Sequence, residues 1–114
     1  MKNQPQIQIL EAAKTILIEK GWTKGVYARD DSNKIVSFQS DEATCFCILG
    51  AIYRANYDHD KYLPSSMVLR ARLESLILST TRSKSIGAWN DYPKRTKEEV
   101  IAMLDKAIVG YQEE

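Results

Sequence analysis

The chain has 114 residues, and its sixteen Lys or Arg against fifteen Asp or Glu give a formal net charge of +1 at pH 7. This balance argues against a dedicated nucleic-acid-binding protein, which usually carries a basic excess. The length and an apolar fraction of 44% are sufficient for one globular domain over residues 1–114, which needs neither a disulfide nor a metal to fold.

The sequence shows no membrane or export segment. Its longest apolar run, Cys45–Tyr53, is far shorter than the roughly 20 residues that a membrane-spanning helix requires. The N-terminus leads into an amphipathic helix rather than into the apolar core of a signal peptide. We therefore expect a cytoplasmic protein whose two cysteines are reduced.

The first predicted element is a helix that begins near Asn3 and Pro5 and ends before Gly21, with apolar residues at helical spacing. Two β-prone segments follow, Val26–Arg29 and Lys34–Phe38, separated by a cluster of turn-forming residues. This pattern is typical of a small hairpin. Because an isolated hairpin is only marginally stable in water, we expect it to pack against the helices.

A second helix is predicted from Ser40 or Asp41 to about Asn56. Its middle is apolar on nearly all sides, which indicates a buried central helix. Gly50 inside it costs about 1 kcal/mol relative to Ala. We expect that another backbone, or a large ring such as that of Trp22 or Trp89, approaches Gly50 closely.

The stretch from Asn56 to Leu63 is polar and is predicted to be irregular, and a third helix is expected to start at Pro64 and Ser65. A short helical turn over Ser85–Trp89 would then end at Asn90 in a left-handed conformation. The Thr-x-x-Glu sequence from Thr96 to Glu99 is a capping box, which begins the last helix. The predicted fold class is mainly α, a compact domain of four to five helices with a small β-hairpin inserted after the first helix.

The segment before the last helix concentrates side chains that recognise ligands. Trp89 offers a flat apolar face, Asn90 offers donors and acceptors, and Asp91 offers a charge. Together with Arg95 they are suited to hold a planar polar ligand by stacking and hydrogen bonding. The structural alternative is that Trp89 anchors the core, Asn90 ends a helix and Asp91 pairs with an arginine such as Arg29.

Standard catalytic and metal-binding patterns are not apparent. Cys45 and Cys47 would point about 200° apart on a helix, so they could share neither a metal nor a disulfide. We expect both to pack in the core, and we expect His59 to be exposed on a polar loop. No catalytic residue, metal or cofactor is predicted from the sequence.

Five ordered motifs are similar to those of a group of small bacterial and phage proteins that form a domain of unknown function. The likeness extends over about residues 10–108. The motifs are Gly21-Trp22-Thr23-Lys24-Gly25, Tyr27-Ala28-Arg29-Asp30, Cys45-Phe46-Cys47-Ile48-Leu49-Gly50-Ala51, Ala88-Trp89-Asn90-Asp91 and Arg95-Thr96-Lys97-Glu98-Glu99-Val100. The resemblance implies a family and no activity. It also implies that certain residues occupy the family's recurrent positions, namely Tyr27, Arg29, Asp30, Cys47, Gly50, Trp89, Asn90, Asp91 and Arg95.

Our first hypothesis is a non-enzymatic binding or accessory module of bacterial or phage origin. It would recognise a host protein or a nucleotide-like small molecule through a polar-aromatic site beside the central helix. The residues predicted for this site are Tyr27, Arg29, Asp30, Cys47, Trp89, Asn90, Asp91 and Arg95.

Other functions stay open at this point. One is a cysteine-dependent enzyme centred on Cys47, with Asp91 or Asn90 as the orienting partner. Another is a nucleic-acid-associated regulator that uses the basic residues between Arg70 and Lys97, although nucleic acid is not the expected partner. An exposed apolar surface on the third helix would also suit a homodimer.

Overall fold

The computed structural model describes residues 3–59 and 65–114. Within this part of the chain there are five helices and two short antiparallel strands, so the predicted fold class is confirmed. The predicted start of the third helix at Pro64 lies outside the described residues. In chain order the elements are α1 (Gln4–Glu19), β1 (Ala28–Arg29), β2 (Cys45–Phe46), α2 (Ile48–His59), α3 (Ser65–Thr80), α4 (Ile86–Asp91) and α5 (Lys97–Gln112).

The hydrophobic core lies where α1, α2, α3 and α5 meet. Leu10 and Leu17 of α1, Ile52 of α2, Leu73 of α3 and Leu104 of α5 are each almost completely buried. Full burial of one such side chain stabilises the folded state by about 1.5–3 kcal/mol. None of the helices in the described part is long and apolar enough to cross a membrane.

The strand pair differs from the predicted hairpin in its second strand. Ala28 lies opposite Phe46 and Arg29 lies opposite Cys45, whereas Ile35 forms only a single bridge to Arg29. The prediction that Cys45–Phe46 belongs to a helix is therefore wrong. A short apolar run fits a buried strand as well as a buried helix, so periodicity alone does not separate them.

The second helix is also shifted along the chain. It begins at Ile48 and continues to His59, so the predicted end near Asn56 and the predicted irregular stretch after it are wrong for residues 56–59. The side chain of Arg54 donates to the Asp58 carboxylate at 3.1 Å, and such a pair one turn apart supports the last turn of the helix.

The close approach predicted for Gly50 is present. A methyl group added at Gly50 would overlap the backbone carbonyl of Tyr27. The neighbour is thus the backbone of the segment before β1, not the ring of Trp22 or Trp89. This contact sets the start of α2 directly against the segment that carries Tyr27.

The last two helices, α4 and α5, each begin directly after a residue whose side chain caps the helix N-terminus. The Ser85 hydroxyl accepts a hydrogen bond from the Ala88 N–H at 3.0 Å, and α4 starts immediately after it. Thr96 and Glu99 form the predicted capping box at the start of α5. Asn90, however, lies inside α4 rather than ending it in a left-handed conformation, so that prediction is wrong. Its side chain has other partners, described below.

Candidate functional site

Asn90 is 1% exposed, and its side chain is completely hydrogen-bonded. Its Oδ1 accepts from Trp22 Nε1 at 2.8 Å and from the Ile48 N–H at 3.0 Å. Its Nδ2 donates to the Thr23 carbonyl at 3.1 Å and to Asp91 Oδ1 at 3.0 Å. An asparagine amide offers two acceptor positions and two donors, and all four are used here. We call these five residues the Asn90 network.

The neighbouring side chains attach the loop before β1 to α4. Asp91 Oδ1 also accepts from the Gly25 N–H at 2.9 Å. Lys24 Nζ donates to the carbonyl oxygens of Tyr92 and Pro93, at 2.8 and 3.1 Å. The loop is therefore held to the end of α4 by backbone and side-chain bonds between segments that are far apart in sequence.

Arg29 and Asp30 hold the turn between β1 and Ile35. Arg29 Nε donates to Thr23 Oγ1 at 3.2 Å, so Arg29 does not form the pair with Asp91 that the sequence left open. Asp30 Oδ1 accepts from the Lys34 N–H at 2.9 Å, in an arrangement typical of aspartate in turns.

Trp89 and Arg95 form a stacked pair at the start of the connection to α5. Trp89 is 2% exposed, which agrees with a core anchor. The Arg95 guanidinium carbon lies 4.1 Å from the centroid of the Trp89 ring, and Nε donates to the Trp89 carbonyl at 2.8 Å. Arg95 NH1 also lies 3.6 Å from the Glu99 carboxylate. The indole face next to Arg95 is thus already occupied.

A cleft of about 560 Å³ lies beside the Asn90 network. This volume is within the range of about 300–1,000 Å³ that is usual for small-molecule sites. Four parts of the chain form it: the segments around β1, the start of α2, one face of α3, and α4 with Ser85 before it. The lining residues include Tyr27, Phe38, Cys47, Arg70, Glu74, Ser85, Gly87 and Asp91.

Aromatic side chains and a few polar groups give the cleft its chemistry. Tyr27 and Phe38 line it, with their ring centroids 6.3 Å apart and their planes at 88°. Tyr53 packs against both rings at 5.5 Å. Arg70 NH1 donates to the Tyr53 hydroxyl at 3.1 Å, and Glu74 lies one turn further along α3. An apolar cleft with a small number of placed polar groups is typical of ligand-binding sites.

The structure brings four of the eight predicted site residues to this cleft. Tyr27, Cys47, Asn90 and Asp91 line it, whereas the other four form the contacts described above and do not. The role of all eight in binding stays a prediction.

Sequence reasoning missed Arg70 and Glu74 as site residues. Their spacing of four residues on α3, away from the buried leucine stripe, is the only signal in the sequence. It is indistinguishable from that of an ordinary solvated helix face.

Burial raises the pKa of the Cys47 thiol above its ordinary value. The Gly50 N–H, which donates to Sγ at 3.3 Å, opposes this effect, and the negative charge of Asp91 adds to it. Cys47 precedes α2 and His59 ends it, so the two are roughly 18 Å apart along the helix axis. The thiol thus has no histidine base within reach, and nucleophilic catalysis requires an activated thiolate.

A second cavity, of about 540 Å³, lies between α1 and the end of α2 and includes His59. Within the described part, no three His, Cys, Asp or Glu side chains are grouped in a way that could hold a metal ion.

Comparison with known proteins identifies the family. A family model described as a family of unknown function, DUF6197, matches residues 1–109. The matched region includes the Asn90 network and every residue of the cleft. Neither the curated proteins nor the solved structures contain a match to the chain. The prediction that the chain belongs to a domain family of unknown function is thus confirmed. The chain belongs to the DUF6197 family.

Proposed function

We propose that the chain is a non-enzymatic module that binds a small molecule in the cleft between β1, α2, α3 and α4. The observation that supports this most strongly is the cleft itself. Its volume of about 560 Å³ suits a metabolite-sized ligand, and its lining is mainly apolar with Arg70, Glu74, Ser85 and Asp91 as polar groups. A host protein, the other partner that the sequence suggested, has less support because a concave site of this size fits a small molecule better than a flat protein surface.

The walls of the cleft are held in place by contacts that do not involve a ligand. The Asn90 network fixes the start of α2 and the loop before β1 against α4, and Gly50 packs on the backbone of Tyr27. A site that is already ordered loses little conformational entropy when its ligand binds. This arrangement therefore supports binding by a preformed pocket.

A non-enzymatic role agrees with the chemistry of Cys47. Its thiol is buried and its pKa is raised, which favours the unreactive protonated form. We further propose that the module serves as an accessory protein of bacterial or phage origin in the cytoplasm. The bacterial or phage origin is implied by the resemblance of the motifs, and the cytoplasm is the compartment expected from the sequence.

The proposal is tested by a screen of metabolites and nucleotides in which the melting temperature of the full chain is measured. A ligand at about 100 times its Kd stabilises the folded state by roughly 2.7 kcal/mol. For a chain of this size the melting temperature then rises by several degrees.

A matched pair of variants locates the binding site. Gly87 lines the cleft, and a Cβ built there meets only the Ser85 hydroxyl, at 3.9 Å, so Gly87→Leu places a side chain in open space. Ala88 is exposed on the same helix and does not line the cleft, so Ala88→Leu is the control.

A melting shift that is lost in Gly87→Leu and kept in Ala88→Leu supports the cleft as the binding site. A shift that survives in both variants places the ligand elsewhere and contradicts the proposal. No shift with any compound also contradicts it, and it would favour a protein partner.

A further inference from the structure

We infer that the cleft selects a ligand with an aromatic or aliphatic body and a positively charged amine, rather than a phosphorylated or carboxylated one. This inference rests on the proposed function, because it assigns a chemical class to the ligand of the same cleft. It narrows the nucleotide-like ligand that the sequence suggested to molecules without phosphate groups. Four observations on the charges and donors around the cleft lead to it.

The first observation is the carboxylate of Asp91, which has no cationic partner among residues 3–59 and 65–114. Its Oδ1 accepts from the Gly25 N–H and from Asn90 Nδ2, which are both neutral donors. Neutral hydrogen bonds hold the carboxylate in position without cancelling its charge. Asp91 is exposed and lines the cleft, so its negative charge acts on a bound ligand.

The second observation concerns the one arginine that lines the described cleft. Arg70 NH1 donates to the Tyr53 hydroxyl at 3.1 Å, and the carboxylate of Glu74 lies one turn away on the same helix. Opposite charges four residues apart on a helix attract each other and partly cancel at a distance. Because Arg70 and Glu74 partly offset each other, the negative charge of Asp91 is the one in the described cleft that stays uncompensated.

The third observation is that nearby cations are directed away from the cleft. Lys24 Nζ donates to the carbonyl oxygens of Tyr92 and Pro93, and Arg29 donates to Thr23 Oγ1. Neither Lys24 nor Arg29 lines the cleft. Among the described residues, Arg70 is therefore the one cation that an anionic ligand would meet in the cleft, and Glu74 partly offsets its charge, whereas phosphate-binding sites usually supply several positive partners.

The fourth observation is that the start of α2, which lies at the cleft, has little capacity for an anion. Helix N-termini bind phosphate because their first N–H groups are free. At α2, however, the Ile48 N–H donates to Asn90 Oδ1 and the Gly50 N–H donates to Cys47 Sγ. Tyr27 and Phe38 also line the cleft, and their ring faces attract cations.

The inference is tested with two probes that share one indole body and differ in charge. Tryptamine carries an ammonium group, and indole-3-propionate carries a carboxylate. Each is titrated into the full chain, and binding is followed by the amide NMR signals of Gly25 and Gly87, which line the cleft. We expect tryptamine to bind with a Kd at least about tenfold lower, because a unit charge within a few ångströms of a carboxylate at a protein surface has this order of effect.

Asp91→Asn separates charge from structure. The asparagine keeps an oxygen that accepts from the Gly25 N–H, so the fold is retained, and the negative charge is removed. We expect this variant to lose most of the preference for tryptamine. Asp41→Asn removes an exposed carboxylate that does not line the cleft, and we expect this control to keep the preference.

The outcomes distinguish the inference from the proposed function. Equal affinities, or tighter binding of indole-3-propionate at the cleft signals, overturn the inference and leave the small-molecule site in place. A preference that persists in Asp91→Asn overturns the assignment to this carboxylate. If neither probe shifts the cleft signals at millimolar concentration, the inference fails, while the metabolite screen decides the proposed function separately.

Discussion

Asn90 and Asp91, two neighbouring residues at the end of α4, differ in how completely their polar groups are paired within the protein. In the Asn90 network every donor and acceptor of the asparagine amide has a partner. In the adjacent cleft, Asp91 presents a charge that no cation within the described residues compensates. The same short sequence therefore supplies both a closed structural connection and the edge of an open site.

This difference shows that recognition-type residues do not by themselves mark a binding site. Trp89 and Asn90 have the side chains of a ligand site, yet they are 2% and 1% exposed. A buried polar group that already has all its partners gains nothing from a ligand. Groups that are at least partly exposed and still free to bind are the better indicator, and Asp91, Glu74 and Tyr27 of the cleft are of this kind.

The largest effect is expected for Asn90→Ala. The substitution leaves the buried Ile48 N–H and the partly buried Trp22 Nε1 and Thr23 carbonyl without their partner. An unsatisfied buried group costs about 1–3 kcal/mol, and a partly buried one costs less. We expect the free energy of unfolding to fall by at least about 3 kcal/mol, measured by urea denaturation. Asp91→Asn is the comparison, with an expected change below about 1 kcal/mol. A loss in Asn90→Ala no larger than that in Asp91→Asn would contradict the structural role.

The next effect compares two glycines. Gly50→Ala brings a methyl group into the Tyr27 carbonyl, and we expect a loss of about 1–3 kcal/mol because neither backbone has room to move. Gly87→Ala has open space around it, so we expect stabilisation of up to about 1 kcal/mol from helix propensity. Chemical denaturation of both variants gives the two values. Changes of the same sign and size would show that Tyr27 does not approach Gly50 as described.

A smaller effect is expected for Arg95→Ala, which removes the guanidinium from the face of Trp89 and the bond to its carbonyl. We expect a loss of about 1–2 kcal/mol with unchanged ligand affinity, since Arg95 does not line the cleft. Arg95→Lys keeps the charge and should recover only part of the loss, because lysine lacks the planar group. A large fall in affinity with unchanged stability would instead place Arg95 in the binding site.

The smallest effect is a pH dependence of stability from Cys47. Its pKa is raised in the folded state above the ordinary value of 9.0, so the folded chain holds this proton more strongly than the unfolded chain. The contribution of the protonated Cys47 thiol to the free energy of unfolding is thus complete below about pH 9. It decreases as the pH rises further, by at most about 1.4 kcal/mol per pH unit. Cys47→Ser keeps an acceptor for the Gly50 N–H but does not titrate in this range. Identical pH profiles of the two proteins above pH 9 would contradict the raised pKa.

Local signals in the sequence were sufficient for much of the fold. The capping box at Thr96 and Glu99 predicts the start of α5, and Gly50 indicates a close backbone contact. The strand at Cys45–Phe46 was missed because its partner, Ala28–Arg29, is remote in sequence and its apolar character also fits a helix.

The site was harder to predict because it depends on contacts between distant segments. Trp22 and Asn90 are 68 residues apart, and no periodicity indicates that they are bonded. In the sequence, Arg70 and Glu74 resemble any solvated pair of charges on a helix. Only the three-dimensional structure shows that they share a cleft with the segment around Tyr27. The motifs therefore indicated four residues that line the cleft, whereas the division into closed and open parts required the three-dimensional structure.

The most direct test of the cleft is to map bound fragments by amide NMR on the full chain, without assuming the natural ligand. If the cleft is the binding site, fragments that bind will shift the signals of Gly25, Val36 and Gly87, and Gly87→Leu will abolish these shifts while Ala88→Leu preserves them. If the shifts instead gather around Gln8 and His59 in the second cavity, or persist in Gly87→Leu, the binding function assigned to the cleft is wrong.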